Sequence, residues 1–486
     1  MSLAAVYDTV RSAWIEGRLE NVLQRKKELA GLHAALRDHE SRLTAAFAQD
    51  IDISETAASL EINVCLAAVD RLYHGLDFAA VLAQEKLIQV GQPSPINPVA
   101  LGPVLIQAAL PCPLSSTILP LAAAVAAGSC CLVQLCHASP TINEALSAII
   151  RTSLDQEAVA TVDGLISPAA LTGIRCEAAV LQDPEGIDHF ASALRQSNSA
   201  VRIYTPVTGL PAVFVDRSAP DLNTVAIWLQ QSILKDPRRH VGRTPRLCFV
   251  DEFVLERLVS LLQQRLGPVE NNNQPVPEPS VTKELGDLLA SSFLSLKQQD
   301  LWATANALSP LIALQPTDSI TPETIGKVAT KVTKSYSGIL FVPVSSLDHA
   351  IDLWNKVIDG KSASATYVFG EGKETAYLAQ FLNTENCFIN HIPPESFVMM
   401  APNSGHDTYG LPFSPADFSR NKAIHQWSNR VGRSSSHRGP DLRAIAQPIG
   451  GRLSYFEQGL IVGLAATAFA LLGSGIAAFK AWKYWF

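Results

Sequence analysis

Short apolar runs alternate with helical stretches through the middle of this chain, and the alternation limits it to a parallel α/β architecture. Val104-Leu105-Ile106 reads as a strand, Ser115 to Ala127 as a helix closing at Gly128, Cys130 to Gln134 as a second strand, and Ser139 to Leu154 as another helix. The same grammar resumes with a helix from Glu252 to Arg265, a strand from Gly338 to Val344, a helix from Leu347 to Val357 and a strand from Ala365 to Phe369. Between them Val269 to Val281, with Asn271-Asn272-Asn273 and three prolines, reads as a loop or linker. Ahead of this region, Ala4 to Glu16, Asn21 to Gln49 and Ser54 to Ala83 carry apolar residues three and four apart, which predicts a layer of helices. Gln92 to Pro98, with three prolines, must be extended, because each proline disfavours helix at the residue before it.

At 486 residues with 47% apolar side chains, the chain is long enough for two or three cores. Its charged fraction of 17% is low, and the apolar excess gathers at the C-terminus. Gly459 to Phe479 is a run of 21 uncharged residues, enough at about 1.5 Å each to cross a hydrocarbon core of ~30 Å. Lys480 and Lys483 follow, interleaved with Trp482, Tyr484 and Trp485, residues favoured where lipid meets water, while Arg433, His437, Arg438, Arg443 and Arg452 precede the run. The pattern predicts a single-pass C-terminal anchor with the large domain cytosolic, on the endoplasmic reticulum or another organelle membrane. A buried C-terminal helix is the competing reading. The first residues bring acid and base before any long apolar core, so no signal peptide is expected.

A net charge of −7 argues against nucleic acid as a partner. The eight cysteines show no C-x-x-C pair and no spacing that suggests zinc or a disulfide framework, so no metal is expected and a reducing compartment fits best.

Three segments carry a resemblance. Gly102-Pro103-Val104-Leu105-Ile106, continuing through Pro111-Cys112-Pro113-Leu114-Ser115 to Pro120 and Gly128, resembles the aldehyde dehydrogenases, especially class 3 with its membrane-anchored fatty-aldehyde enzymes. Tyr409, Ser414, Phe418 and Ser419 fit that class's C-terminal Gly-Met-Gly-Ser-Tyr-His-Gly region, and the strand and helix from Gly338 to Asn355 form a third match. The resemblance implies an α/β fold with a Rossmann-type cofactor domain, a catalytic-type α/β domain, a bridging element that commonly dimerises, and here a C-terminal transmembrane helix. The expected division is residues 1–207 for the N-terminal helical layer and cofactor-type domain and 208–390 for the catalytic-type domain. Residues 391–458 would form a return segment and basic linker, and 459–479 the anchor.

The family's reaction requires a thiolate, donors for the oxyanion, a base and a hydride acceptor. At the positions that match its motifs, those groups are changed. Pro111 stands at the oxyanion-donor asparagine, Pro206 at the general base and Gly242 at the nucleophile. Gln134 and His137 replace the lysine and glutamate that hold the cofactor ribose, Lys334 replaces the acid of the nicotinamide contact, and Asp183-Pro184-Glu185 lies where a Thr-Gly-Ser turn would meet phosphates.

These changes lead to three expectations of function. The leading one is a catalytically degenerate, membrane-tethered protein that handles or scaffolds a lipophilic small molecule in a lipid or specialised-metabolite pathway. No nicotinamide cofactor is expected on that reading, and Cys112, His240 and Arg243 would line a retained apolar tunnel. Partnership as a homodimer, or as a heterodimer with an active homologue, goes with it. The alternatives are a divergent active fatty-aldehyde dehydrogenase using NAD or NADP, and a cofactor-free cyclase or isomerase on the same fold. Cys248, inside Leu247-Cys248-Phe249-Val250, reads as a buried strand residue rather than a displaced nucleophile, and Gly209 as a tight turn.

Overall fold

The computed structural model describes residues 3–92, 96–110, 112–162, 164–183, 186–207, 209–234, 243–245, 247–266, 311–313, 322–323, 325–326, 339–400, 411–424, 460–471 and 473–474. Five helices come first: α1 (Leu3–Ile15), α2 (Val22–Asp38), α3 (Glu40–Ile51), α4 (Glu55–Gly75) and α5 (Phe78–Gln89). Two of the three helices expected here are each broken in two. The break between α2 and α3 falls at His39, whose ring nitrogen turns back to the Ala35 carbonyl at 2.9 Å. The break between α4 and α5 falls where Gly75 is followed by Asp77, whose carboxylate accepts the Ala80 N–H and starts a new helix. Periodicity runs through both breaks, so only the caps reveal them.

The first sheet is built from β2 (Val104–Gln107), β3 (Cys131–Gln134), β4 (Val159–Val162), β5 (Ala178–Leu181) and β6 (Arg202–Tyr204) in the order β4-β3-β2-β5-β6, with every pairing parallel. Helices α6 (Pro113–Ala127), α7 (Pro140–Ser153) and α8 (Ile187–Ser197) follow β2, β3 and β5. The second sheet runs β12-β11-β7-β8-β10-β9, again parallel. Its strands are β7 (Ala212–Val215), β8 (Leu247–Asp251), β9 (Leu311–Ala313), β10 (Ile339–Val344), β11 (Thr366–Phe369) and β12 (Cys387–Ile389). With it go α9 (Leu222–Leu234), α10 (Glu252–Leu266), α11 (Leu347–Val357) and α12 (Gly372–Phe381). One face packs Phe214 flat on Phe249, centroids 5.1 Å apart, with the Trp354 ring edge-on to both. A third, antiparallel pair joins β1 (Ile96–Ala100) to β13 (Ser419–Ala423) and so ties distant parts of the chain together.

Fourteen of the fifteen residues of α6 are buried, so its polar groups cannot turn to water. Each deficit is met from elsewhere. The carboxylate of Glu61, on α4 and 0% exposed, accepts from the N–H groups of Leu114 and Ser115 at 3.1 and 2.9 Å. It meets the positive end of the helix and two of its orphan donors. Pro120 lies inside the helix and has no N–H, which leaves the Ser116 carbonyl four residues back without its helical donor. Gln182, just past β5, supplies the missing hydrogen through Nε2 at 2.6 Å and also donates to the Gln107 carbonyl at 3.2 Å. At the far end Gly128, with φ at +97°, closes the helix, and a Cβ there would lie 3.0 Å from the Leu19 carbonyl oxygen.

Gly209, read from sequence as a turn, bridges to Ala363 instead; a Cβ there would run into the Ser362 carbonyl, so the glycine serves a close backbone approach. Residues His425–Phe486 form a separate compact unit. Within it residues 460–471 and 473–474 are helical with exposed side chains. Among the described residues no helix is long and apolar enough to cross a membrane, and residues 459, 472 and 475–479 of the expected anchor lie outside the described residues. The expected linker from Val269 to Val281 lies outside the described residues.

Replacing Gln182 with leucine strands the Ser116 carbonyl and should lower stability by about 1–3 kcal/mol, measured as a shift in the urea midpoint. In a Pro120→Ala background the helix regains its own donor, so the same replacement should cost less; equal costs in both backgrounds would refute the pairing. Gly209→Ala should lower the midpoint by an amount equivalent to about 1–3 kcal/mol, the usual cost of overpacking, and an unchanged midpoint would refute the collision.

Candidate functional site

In the first sheet, β3 and β4 lie on one side of β2 and β5 and β6 on the other, which opens a crevice at the carboxyl ends of β2 and β5. Three glutamines gather at these strand ends: Gln107 closing β2, Gln134 closing β3 and Gln182 following β5, exposed by only 4%, 3% and 2%. The Oε1 of each has no hydrogen-bond donor among the described residues. Three buried amide oxygens without donors suit a group that brings hydroxyl or N–H hydrogens. His137 is exposed on the turn after β3 and Asp183 is half-buried, whereas Pro184 and Glu185 lie outside the described residues.

Cys112 is the N-cap residue of α6 and is fully buried. Glu61 receives the first amides of that helix, and Cys65 sits one turn further along α4; burial first, then the charge of Glu61 and the neighbouring Cys112, push the Cys65 thiol up. Cys248 in β8 is fully buried and its thiol is likewise held well above the ordinary range by desolvation. Burial pushes Cys130 and Cys176 up to about 12 and also raises Cys131, Cys136 and Cys387. A nucleophilic thiol needs the opposite shift, toward thiolate at neutral pH.

Arg243, before β8, is 2% exposed, and its backbone carbonyl accepts the Tyr367 hydroxyl at 2.7 Å. Tyr367 stacks on Phe388, and burial raises its phenol to about 12 despite the hydrogen bond with Ser396 and the Arg243 charge, which act the other way. Pro206 is half-buried between β6 and Gly209. Pro111, His240, Gly242 and Lys334 lie outside the described residues, and with His240 so does the expected grouping of Cys112, His240 and Arg243. A large groove is present elsewhere, and neither Cys112 nor Arg243 lines it.

Sequence reading singled out Gln134 but missed Glu61, Gln107 and Gln182. Pro120 was the available signal, since a proline inside a buried helix demands an outside donor for the carbonyl four residues back. Glu61 had no local signal, because its partners lie more than fifty positions away.

No protein-family model matches the chain. It is similar to mouse aldehyde dehydrogenase family 3 member A2, 30% identical over 245 residues, which is 50% of this chain and 43% of the relative. The chain thus matches less than half the length of that relative. Among solved structures, AldH of Staphylococcus aureus in a substrate-bound state superposes with a TM-score of 0.66 at 17% identity, covering 90% of this chain and 96% of that one. An NAD-dependent benzaldehyde dehydrogenase from Corynebacterium glutamicum gives 0.63 at 14% identity, over 86% and 89% of the two chains.

The expectation of no nicotinamide cofactor is corrected here, because the fold is shared with an enzyme described as NAD-dependent. The crevice itself argues the same way: the changes at Gln134 and His137 remove charged ribose contacts, yet the three orphaned amide oxygens fit the hydroxyl groups of a nucleotide ribose. The parallel sheets, their strand order and the matched segments thus have one reading: the chain has the aldehyde dehydrogenase fold, and its sequence resembles class 3 of that superfamily.

Proposed function

We propose that this aldehyde-dehydrogenase-like protein handles a lipophilic small molecule at a membrane and has lost the thiol-dependent oxidation of aldehydes. The carrying observation is the state of its thiols. All eight cysteines are free, seven are buried, and every shift found among them is upward. A buried thiol whose ionisation is disfavoured is poorly suited to attack a carbonyl and give the covalent adduct from which hydride would leave. Support from sequence is the proline or glycine at each matched position of donor, base and nucleophile, at Pro111, Pro206 and Gly242.

A nicotinamide dinucleotide, when bound, supplies a hydride acceptor. Gln107, Gln134 and Gln182 would hold its ribose hydroxyls through their amide oxygens. Attachment to the membrane rests on the uncharged run from 459 to 479 with cationic residues on both sides. Tethering would raise the local concentration of a lipophilic ligand near the protein.

Full-length protein incubated with a long-chain aldehyde and NAD or NADP should produce no carboxylate above a protein-free control. Turnover abolished by replacing one cysteine would overturn the proposal. Ellman's reagent at neutral pH should label the folded chain slowly, with all eight thiols reacting once it is unfolded, whereas one rapidly reacting native thiol would identify a surviving nucleophile. The raised thiol of Cys176 also gives a sign for pH: its contribution to stability is complete below the unfolded thiol pKa of about 8.5 and is lost as pH rises toward about 12. Alkaline unfolding should therefore shift to higher pH in a folded Cys176→Ala variant. For membrane attachment, alkaline carbonate should leave the full chain in the pellet; release without detergent would exclude an integral span.

A further inference from the structure

Away from the crevice, the described residues of the N-terminal layer enclose a groove of about 1300 Å³ beside the β1–β13 pair. Its roof is α5. This helix of 12 residues buries none of its side chains, yet Phe78, Val81 and Leu82, at helical spacing, line the groove. Phe78 and Leu82 remain 38% and 39% exposed. Trp14, Leu72 and Phe413 also line it, the last two 6% and 2% exposed. The apolar stripe of α5 thus borders an apolar groove while Phe78 and Leu82 keep exposed surface that a bound apolar group would cover.

The groove also holds a cation. Arg25, on α2, donates through its guanidinium to the Ala126 carbonyl at 2.8 Å and to the Glu20 carbonyl at 3.3 Å. Its Nε has no partner, and it forms no ion pair among the described residues. Burial disfavours its charged form, with only Glu20 acting the other way. Glu20, Glu85 and Arg71 also line the groove. A guanidinium cannot shed its charge at ordinary pH, so a partly desolvated one is stabilised by an anion brought to it.

From these residues we infer that the groove between α5, α2 and the β1–β13 pair binds a single-chain anionic amphiphile, a long-chain carboxylate, with the alkyl chain between the α5 stripe and Phe413 and the head on Arg25. Nη2, the donor at the exposed edge with the longer bond to Glu20, meets the carboxylate, while Nη1 keeps its bond to Ala126. The alkyl chain covers Phe78, Val81 and Leu82 and draws α5 onto the body. This inference is independent of the proposed function, because none of the crevice residues lines the groove.

The test uses the full chain in a non-ionic detergent with oleate labelled with carbon-13 at the carboxyl. A saturable bound resonance, one per chain and distinct from micellar oleate, is expected. Arg25→Met keeps the aliphatic stem and should weaken binding about tenfold or more, the value of one charge-assisted hydrogen bond. Leu82→Trp changes an exposed residue that the fold does not bury, and it should abolish the bound resonance by filling the groove. Oleyl alcohol should compete at least about tenfold more weakly than oleate. The inference is overturned if no saturable resonance appears, if both variants bind as the native chain does, or if the alcohol competes equally. A second copy of the chain as occupant would appear as absent oleate binding together with a lower mass by light scattering in Leu82→Trp, and that too overturns it.

Discussion

A buried helix with a proline in its interior is the constraint on which the first half of this molecule turns. Helix α6 is almost wholly enclosed, so the carbonyl freed by Pro120 has to be satisfied by protein. Gln182 does this while also bonding the end of β2, and so links β5, β2 and α6 where the sheet changes direction. Glu61 plays the matching part at the start of the helix and thereby fixes α4 against it. Two charge-assisted hydrogen bonds of that kind contribute about 1.5–3 kcal/mol each, comparable to burying a large apolar side chain.

The same arrangement bears on chemistry. Gln182 uses its N–H group on the backbone, and its oxygen, like those of Gln107 and Gln134, has no donor among the described residues. The crevice is therefore rich in acceptors and without a lysine at its β3 edge, a polarity suited to hydroxyl groups. The thiols lie in the opposite environment. Cys131 and Cys248 belong to central strands, where burial pushes the thiol up and disfavours the thiolate.

Charge is placed with similar economy at the outer layer. Arg25 reaches the carbonyl of Ala126 near the end of α6, a position at which a cation complements the helix dipole. That role accounts for one edge of its guanidinium and leaves the other toward the groove under α5. The end of α6 thus links a structural cation to an apolar space, through Gly128 and its tight approach to Leu19.

Much of the architecture was legible in the sequence because strands and helices carry their own periods. Val104–Gln107, Cys131–Gln134, Leu347–Val357 and Thr366–Phe369 form within a residue or so of where the apolar pattern places them, since local sterics and side-chain alternation act over a few residues. Pro120 and Gly128 were equally visible, along with the proline and glycine at the matched catalytic positions. Partnership was decided only by the tertiary structure. Glu61 with Leu114, Gln182 with Ser116 and Arg25 with Ala126 join residues between 53 and 101 positions apart. No local pattern marks such pairs, because each is selected by the need to satisfy a buried polar group after the chain has closed around it.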